Sequence, residues 1–237
     1  MGNQLNQNYK SHSQKQKHKH NSTDNKTNSF QISKLYPKCK NCKQQPIDVK
    51  FKNTSIHLCN DCYLKRKQQQ YENDIQFKGE VQINEITPQL YLGNNESAKN
   101  KEMLLQMEIT HILVVGFYLH EYYPDTFTYK TIEIEDNDKE QLIPLLIPAL
   151  EFIERAEKCL VHCRAGISRS SSIVIAYIMF VGKLSYEEAR KYVSSKRSEI
   201  EPNENFEAQL KNFGDILVVC DYNVKLMKEF IKNFGKE

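Results

Sequence analysis

His162-Cys163-Arg164-Ala165-Gly166-Ile167-Ser168-Arg169-Ser170 lies between a short apolar run ending at Leu160-Val161 and a long one from Ile173 to Val181. That context reads as strand, tight loop, then helix. A loop closing onto a helix N-terminus aims backbone N–H groups and the positive end of the helix dipole at one point, and such a point binds an anion, above all a phosphate. Cys163 opens the loop, where the same field stabilises a thiolate. Arg169 can return as a planar two-pronged clamp on two phosphate oxygens. Gly166 lets the backbone turn inward with no side chain in the way. Nucleophile, anion cradle and clamp thus come from one nine-residue segment.

A cysteine preceded by histidine and followed, after five residues, by Arg-Ser resembles the signature of the cysteine-dependent protein tyrosine phosphatases. The longer string from His162 to Ser172, running on into Ile173-Val174-Ile175-Ala176-Tyr177-Ile178-Met179, resembles the dual-specificity branch of that superfamily. Other stretches carry the likeness further. Ile86-Thr87-Pro88-Gln89-Leu90-Tyr91-Leu92-Gly93 is similar to the branch's opening strand, and Thr110-His111-Ile112-Leu113-Val114-Val115 to its next core strand. Glu201-Pro202-Asn203-Glu204-Asn205-Phe206, with Gln209-Leu210, resembles the segment that buttresses the phosphate loop from behind. The resemblance covers about residues 81 to 220. It implies an α/β domain with a mostly parallel central sheet flanked by helices, and hydrolysis of phosphotyrosine, phosphoserine and phosphothreonine through a phosphocysteine, with no cofactor for catalysis.

The same resemblance distributes roles. Cys163 is the expected nucleophile, and Arg169 with the backbone of Arg164, Ala165, Gly166, Ile167 and Ser168 the expected phosphate cradle. Ser170 would hydrogen-bond the sulfur and ease its departure, or cap the helix, or do both. His162 would order the loop and help to hold the thiolate, against a plain packed histidine. Asn203 would brace the loop, against an ordinary turn asparagine. A leaving alkoxide or phenoxide needs a proton. The stretch Ile132-Glu133-Ile134-Glu135-Asp136-Asn137-Asp138 matches the family's acid-bearing segment, with Asp136 at the acid's place and Asp138 or Glu135 as alternatives. Alternating Ile132 and Ile134 predict a strand that presents Asp136 at its end, and a helix is expected over 142–157. Lipid phosphatases of the superfamily carry lysines inside the loop and RNA triphosphatases an asparagine before the arginine. Here those places hold Ala165, Ile167 and Ser168, which favours phosphoprotein substrates, kinases among them.

A second signal is independent of the first. Cys39-Lys40-Asn41-Cys42 and Cys59-Asn60-Asp61-Cys62 form two C-x2-C pairs at four-sulfur zinc spacing. Between them, Ile47, Val49 and Phe51 alternate, Lys52-Asn53-Thr54 turns, and Ile56 and Leu58 alternate back, so a hairpin is expected between two knuckles. This small zinc ribbon over residues 31–70 would hold one structural zinc, whose binding supplies folding energy. Two disulfides are the alternative, and His57 a substitute ligand. A linker is expected over 71–80. Cys159 falls on the same strand face as Cys163, where it either packs in the core or traps an oxidised nucleophile as a disulfide. Cys220 completes the seven cysteines.

Composition sets the frame. Of 237 residues, 39% are hydrophobic and 27% charged, which suits one domain with polar accessory segments. Residues 1–30 hold little to bury and are expected to be a disordered basic arm, with His12, His18 and His20 solvated. Residues 221–237 are expected to be a helical tail. Residues 1–80 carry 15 Lys+Arg and 6 Asp+Glu, a charge of +9; residues 81–237 carry 18 and 24, a charge of −6, and the sum is the chain's +3. The basic half could meet an anionic membrane surface or an acidic partner, whereas no aromatic-interleaved array speaks for nucleic acid. No run of 18 apolar residues predicts a membrane span. Met1-Gly2-Asn3 begins like a myristoylated chain, although Asn6 stands where Ser or Thr is usual. A reducing, cytoplasmic location is expected because the catalytic thiolate needs one, with the nucleus left open and Gly2 acylation adding membrane association. Two further readings remain open: a pseudophosphatase that binds phosphoproteins without turnover, and a zinc-ribbon scaffold with incidental activity.

Overall fold

In the computed structural model, residues 38–44, 58–76 and 79–234 are described. The basic arm, His57 and most of the hairpin expected from Ile47 to Leu58 lie outside the described residues. The elements, in chain order, are α1 (Asn60–Gln76), β1 (Ile83–Thr87), β2 (Leu90–Gly93), α2 (Asn95–Lys99), α3 (Lys101–Gln106), β3 (His111–Val115) and β4 (Thr128–Ile132). They continue as α4 (Ile143–Glu154), β5 (Cys159–His162), α5 (Arg169–Gly182), α6 (Tyr186–Lys196), α7 (Glu204–Val219) and α8 (Val224–Phe234).

One five-stranded sheet has the order β1-β2-β5-β3-β4. Only the β1–β2 pair is antiparallel; β2–β5, β5–β3 and β3–β4 are parallel. The expected mostly parallel sheet flanked by helices is therefore present. Strand β5 is central, with Leu160 opposite Tyr91 on one side and Ile112 on the other. A strand paired on both edges and covered on both faces has no solvated side, which is why Cys159-Leu160-Val161 is an unbroken apolar run rather than an alternating one. Helix α5 is buried from Ser170 to Met179, because α4, α6, α7 and the sheet surround it. Ile173 is fully buried there, and truncating such a side chain to alanine costs about 2–5 kcal/mol. At the next junction Ser185 opens α6 with a reciprocal cap: its hydroxyl accepts from Glu188 N, while the Glu188 carboxylate accepts from Ser185 N.

This topology gathers the chemistry at one edge. The C-terminal ends of the parallel strands β3, β4 and β5 lead respectively to Gly116, to the acid-bearing segment and to Cys163, the edge at which open α/β sheets bind ligands.

Several boundaries differ from expectation for identifiable reasons. The expected single opening strand is a hairpin, since Pro88-Gln89 turns the chain and the register shifts between Glu85 and Thr87. The strand expected to run through Ile134 ends at Ile132; Ile134 is nonetheless fully buried, so the alternation reported packing of an irregular segment and not a ladder. Helix α4 is shorter than expected, Ile143–Glu154, with a proline in its first turn. Helix α1 crosses the boundary placed at residue 70 and occupies much of the expected linker. The expected helical tail contains α8, whose Met227 is buried against the domain. Among the described residues, no helix is long and apolar enough to cross a membrane.

Candidate active site

Cys163 follows β5 directly and is almost fully buried. Its sulfur accepts hydrogen bonds from the backbone N–H of Gly166 (3.2 Å) and from the hydroxyl of Ser170 (3.1 Å). Both donors favour negative charge on sulfur. Ser170 thus makes the contact that the resemblance implies; it is not the helix cap, a place that falls to Ser168.

The loop is defined by where its carbonyls go. Cys163 O lies 3.3 Å from His162 Nδ1, and Arg164 O accepts from Asn95 N at 3.0 Å. Ala165 O and Gly166 O both accept from the guanidinium of Arg197, at 3.3 and 2.9 Å. Ile167 O accepts from Glu201 N at 2.9 Å, and Ser168 O from Ser172 N and from the hydroxyls of Ser171 and Ser172. All six carbonyls from Cys163 to Ser168 are therefore engaged on the outside of the loop. A peptide unit whose C=O points out points its N–H in, so the interior is a cradle of donors at the start of α5. Gly166 has φ +72°, and a Cβ there would stand 2.7 Å from Gly93 O. Only glycine lets the loop close against β2 in this way.

Arg197 is the residue that sequence reasoning missed. It is 2% exposed, and besides the two loop carbonyls it donates to Asn84 Oδ1 (2.8 Å) and Gln82 Oε1 (3.0 Å). Its signal in the sequence, one arginine in a charged stretch, is indistinguishable from a solvated charge. The bracing expected of Asn203 is thereby shared: Arg197 and Glu201 hold the backbone, whereas Asn203 N donates to Ser168 Oγ and Asn203 Oδ1 caps α7.

Asp136 closes the cleft. Its Oδ1 accepts from Ser168 Oγ and from Asn203 Nδ2, each at 2.7 Å, and its Oδ2 is 3.5 Å from Arg169 Nε. That last contact lies in ion-pair range but lacks hydrogen-bond alignment, leaving Arg169 Nε available to an incoming anion. Among the described residues, Asp136 is the carboxylate paired with Arg169; Glu135 instead accepts from Asn137 Nδ2. Gly116 makes room for the clamp, since a Cβ there would come within 2.6 Å of Arg169 Nη1.

His162 is fully buried, and that burial pushes its pKa down to about 4 in spite of the Cys163 carbonyl. The imidazole is therefore neutral at pH 7. It orders the loop by donating from Nδ1 to Cys163 O, so whatever help it gives the thiolate comes through the shape of the loop and not through a positive charge. Cys159 is buried in the core and its thiol is pushed up to about 12 by desolvation, so it is inert as a nucleophile at neutral pH. Arg164, Ala165 and Ile167 present their side chains at the mouth of the loop.

A separate cluster joins Cys39, Cys42, Cys59 and Cys62, whose sulfurs all lie within 4.8 Å of one another. Four ligands at tetrahedral corners around a zinc ion stand about 3.8 Å apart, and the Cys42–Cys59 pair is at 3.7 Å. A disulfide requires about 2.05 Å, and all four are free thiols. Asn41 Nδ2 donates to Cys62 Sγ at 3.3 Å, the kind of outer contact that orients a thiolate ligand. Burial pushes the Cys59 thiol up to about 12. At Cys39 burial acts in the same direction, but the backbone N–H groups of Cys42, Cys59 and Asn41 outweigh it and bring the thiol down to about 6. Four sulfurs this close cannot all ionise without a cation between them. The set fits a divalent metal.

A nucleophilic sulfur at the floor of a donor-lined loop, an arginine fork beside it and a carboxylate across the mouth define a site for attack on a tetrahedral oxyanion. Residues 90–216 match the model of the dual specificity phosphatase catalytic domain, and the chain belongs to that family. It is 39% identical over 133 residues to dual specificity protein phosphatase 4 of Homo sapiens, covering 54% of this chain and 34% of that protein. With dual specificity protein phosphatase 1B of Arabidopsis thaliana the identity is 36%, over 57% of this chain and 84% of that one. Among solved structures, the human tyrosine phosphatase-like serine/threonine/tyrosine-interacting protein superposes with a TM-score of 0.56 at 35% identity, covering 57% of this chain and 97% of that one. The chain spans about a third of the length of the human relative.

Proposed function

We propose that this chain is a protein phosphatase that hydrolyses phosphotyrosine and phosphoserine/phosphothreonine through a phosphocysteine. The observation that carries the reading is the Cys163 sulfur held by Gly166 N and Ser170 Oγ in a loop whose six carbonyls all face outward. The Cys163 thiolate attacks phosphorus, forming the S–P bond as the P–O bond to the substrate breaks. The inward N–H groups and Arg169 hold the equatorial oxygens while Asp136 protonates the leaving oxygen. Water, deprotonated by Asp136, then attacks the phosphocysteine, and Ser170 donates to the departing sulfur. The phosphate dianion competes with Asp136 for Arg169, so substrate entry itself frees the carboxyl from its resting contact. Neutral Ala165, Ile167 and Ser168 supply none of the basic side chains that an inositol phosphate would call for, which favours phosphoproteins.

The four-cysteine cluster is read as a structural zinc site, closed because its four sulfurs leave no coordination position open. Reduced thiols at Cys163 and at the cluster suit a cytoplasmic, signalling role. Met1-Gly2-Asn3 with the +9 segment behind it suits reversible membrane attachment by one acyl chain plus charge. The experiment on the activity is Cys163→Ser, assayed on an aryl phosphate and on phosphopeptides. Turnover should fall below about 1% of wild type with phosphate binding retained; turnover above that level would remove the covalent mechanism. Wild-type protein that binds phosphopeptide without turnover would favour the pseudophosphatase instead.

A further inference from the structure

The four-cysteine module is packed against the same segments that build the cleft. Tyr63 immediately follows Cys62, is 2% exposed, and shares a small apolar cluster with Cys39, Leu58, Cys59, Cys62 and Phe117. Its hydroxyl donates to Glu133 Oε1. Glu133 is the first residue after β4 and stands three residues before Asp136. Phe117 follows Gly116, the residue whose bare Cα accommodates Arg169 Nη1 and whose N–H donates to Ile132 O at 2.8 Å. Farther along α1, Lys67 O lies 3.0 Å from His120 Nε2, and the rings of Tyr71 and His120 are 4.6 Å apart. Both ends of the acid-bearing wall, the exit of β3 and the exit of β4, are therefore gripped by the module.

We propose that Tyr63 is a positioning residue for proton transfer by Asp136, holding the acid-bearing segment through Glu133, so that the cysteine module is a working part of the cleft. The proposal rests on the phosphatase reading above. The segment from Glu133 to Asp138 is irregular and has no ladder; Ser168 and Asn203 hold the Asp136 carboxylate at its far side, and the buried tyrosine hydroxyl on Glu133 fixes its start. The phosphate cradle, braced separately by Arg197, Asn95 and Glu201, does not depend on this contact.

The two roles separate by leaving group. An activated aryl oxide departs without a proton, whereas a basic one does not. Full-length Tyr63→Phe keeps the ring in the apolar cluster and removes only the hydroxyl. It should turn over 4-nitrophenyl phosphate within about two-fold of wild type, yet lose roughly ten-fold in kcat on phenyl phosphate, the loss expected for one charge-assisted hydrogen bond. KM, inhibition by inorganic phosphate and the bound metal per chain should not change. Glu133→Ala, which removes the acceptor, should show the same selective loss, and the double variant no more than either alone. Equal rates for Tyr63→Phe and wild type on both substrates, or equal losses on both, would overturn the proposal. A wild-type chain without turnover would remove it by a different route, through the phosphatase reading itself.

Discussion

The phosphate loop and the four-cysteine cluster are both short turns of chain built around sulfur, and they are held in opposite ways. The loop from Cys163 to Ser168 owes its shape to groups brought from elsewhere in the fold: Asn95, Arg197, Glu201 and the serines of α5 each take a carbonyl. The cluster takes its four sulfurs from two short stretches of chain. Its apolar neighbours are few, Leu58 and Tyr63 beside it and Phe117 from the domain, and its four thiols call for a cation. The loop should therefore fail with the domain, whereas the cluster, if it holds the proposed zinc, should fail alone when that ion is removed.

The sharpest way to break that contrast is Arg197→Ala. It strands two loop carbonyls in a buried site, each costing about 1–3 kcal/mol, so a loss of roughly 3–4 kcal/mol in urea unfolding is expected together with loss of phosphate binding. Unfolding within about 1 kcal/mol of wild type would mean that the loop holds its shape without the brace.

A slightly smaller effect should follow from pH. His162 binds a proton near 6.5 when unfolded and near 4 when folded. Between those values the unfolded chain carries the extra proton, so stability is full above pH 6.5 and is lost as pH falls toward 4. The loss from this one group is on the order of 3 kcal/mol. Comparing wild type with His162→Asn at pH 7 and about pH 4.5 isolates it, because the carboxylates titrate in both proteins. Parallel losses in the two would contradict the assignment.

The smallest effect belongs to the other side of the comparison. Cys39→Ser should release the metal and expose the amides of residues 38–44 and 58–62 to exchange, yet leave turnover of 4-nitrophenyl phosphate within about three-fold. Metal analysis together with hydrogen exchange checks this. Global unfolding on loss of the metal would show that the module, too, is bound into the domain's cooperative unit.

Legibility in the sequence followed the same division. The nucleophile, the clamp and the cysteine pairs were readable because each chemistry is complete within a few consecutive residues, whereas the mostly parallel sheet was expected from the resemblance, with which the unbroken apolar runs of β5 and β3 agree. Asp136 was placed by resemblance, and its contacts with Ser168, Asn203 and Arg169 put it in the cleft. What stayed hidden was held by long-range contact. Arg197 looks like any charge at the end of an amphipathic helix until Gly166 O and Ala165 O are found beside it. Tyr63 looks like core filling until Glu133 arrives from the other module. The turn at Pro88-Gln89 was passed over because Leu90-Tyr91-Leu92 continues the apolar pattern of Ile86, so one strand was read where two exist.

The central claim is that the loop carries a phosphoryl group on Cys163, and trapping that species tests it most directly. Full-length protein carrying Ser170→Ala, which keeps the nucleophile and removes the donor to the departing sulfur, would be mixed with an activated aryl phosphate, quenched within the first turnover and digested for mass spectrometry. One added phosphoryl group on the peptide containing Cys163, lost in Cys163→Ser, is the predicted result. Stoichiometric aryl oxide release with no phosphoryl group on that peptide would contradict it.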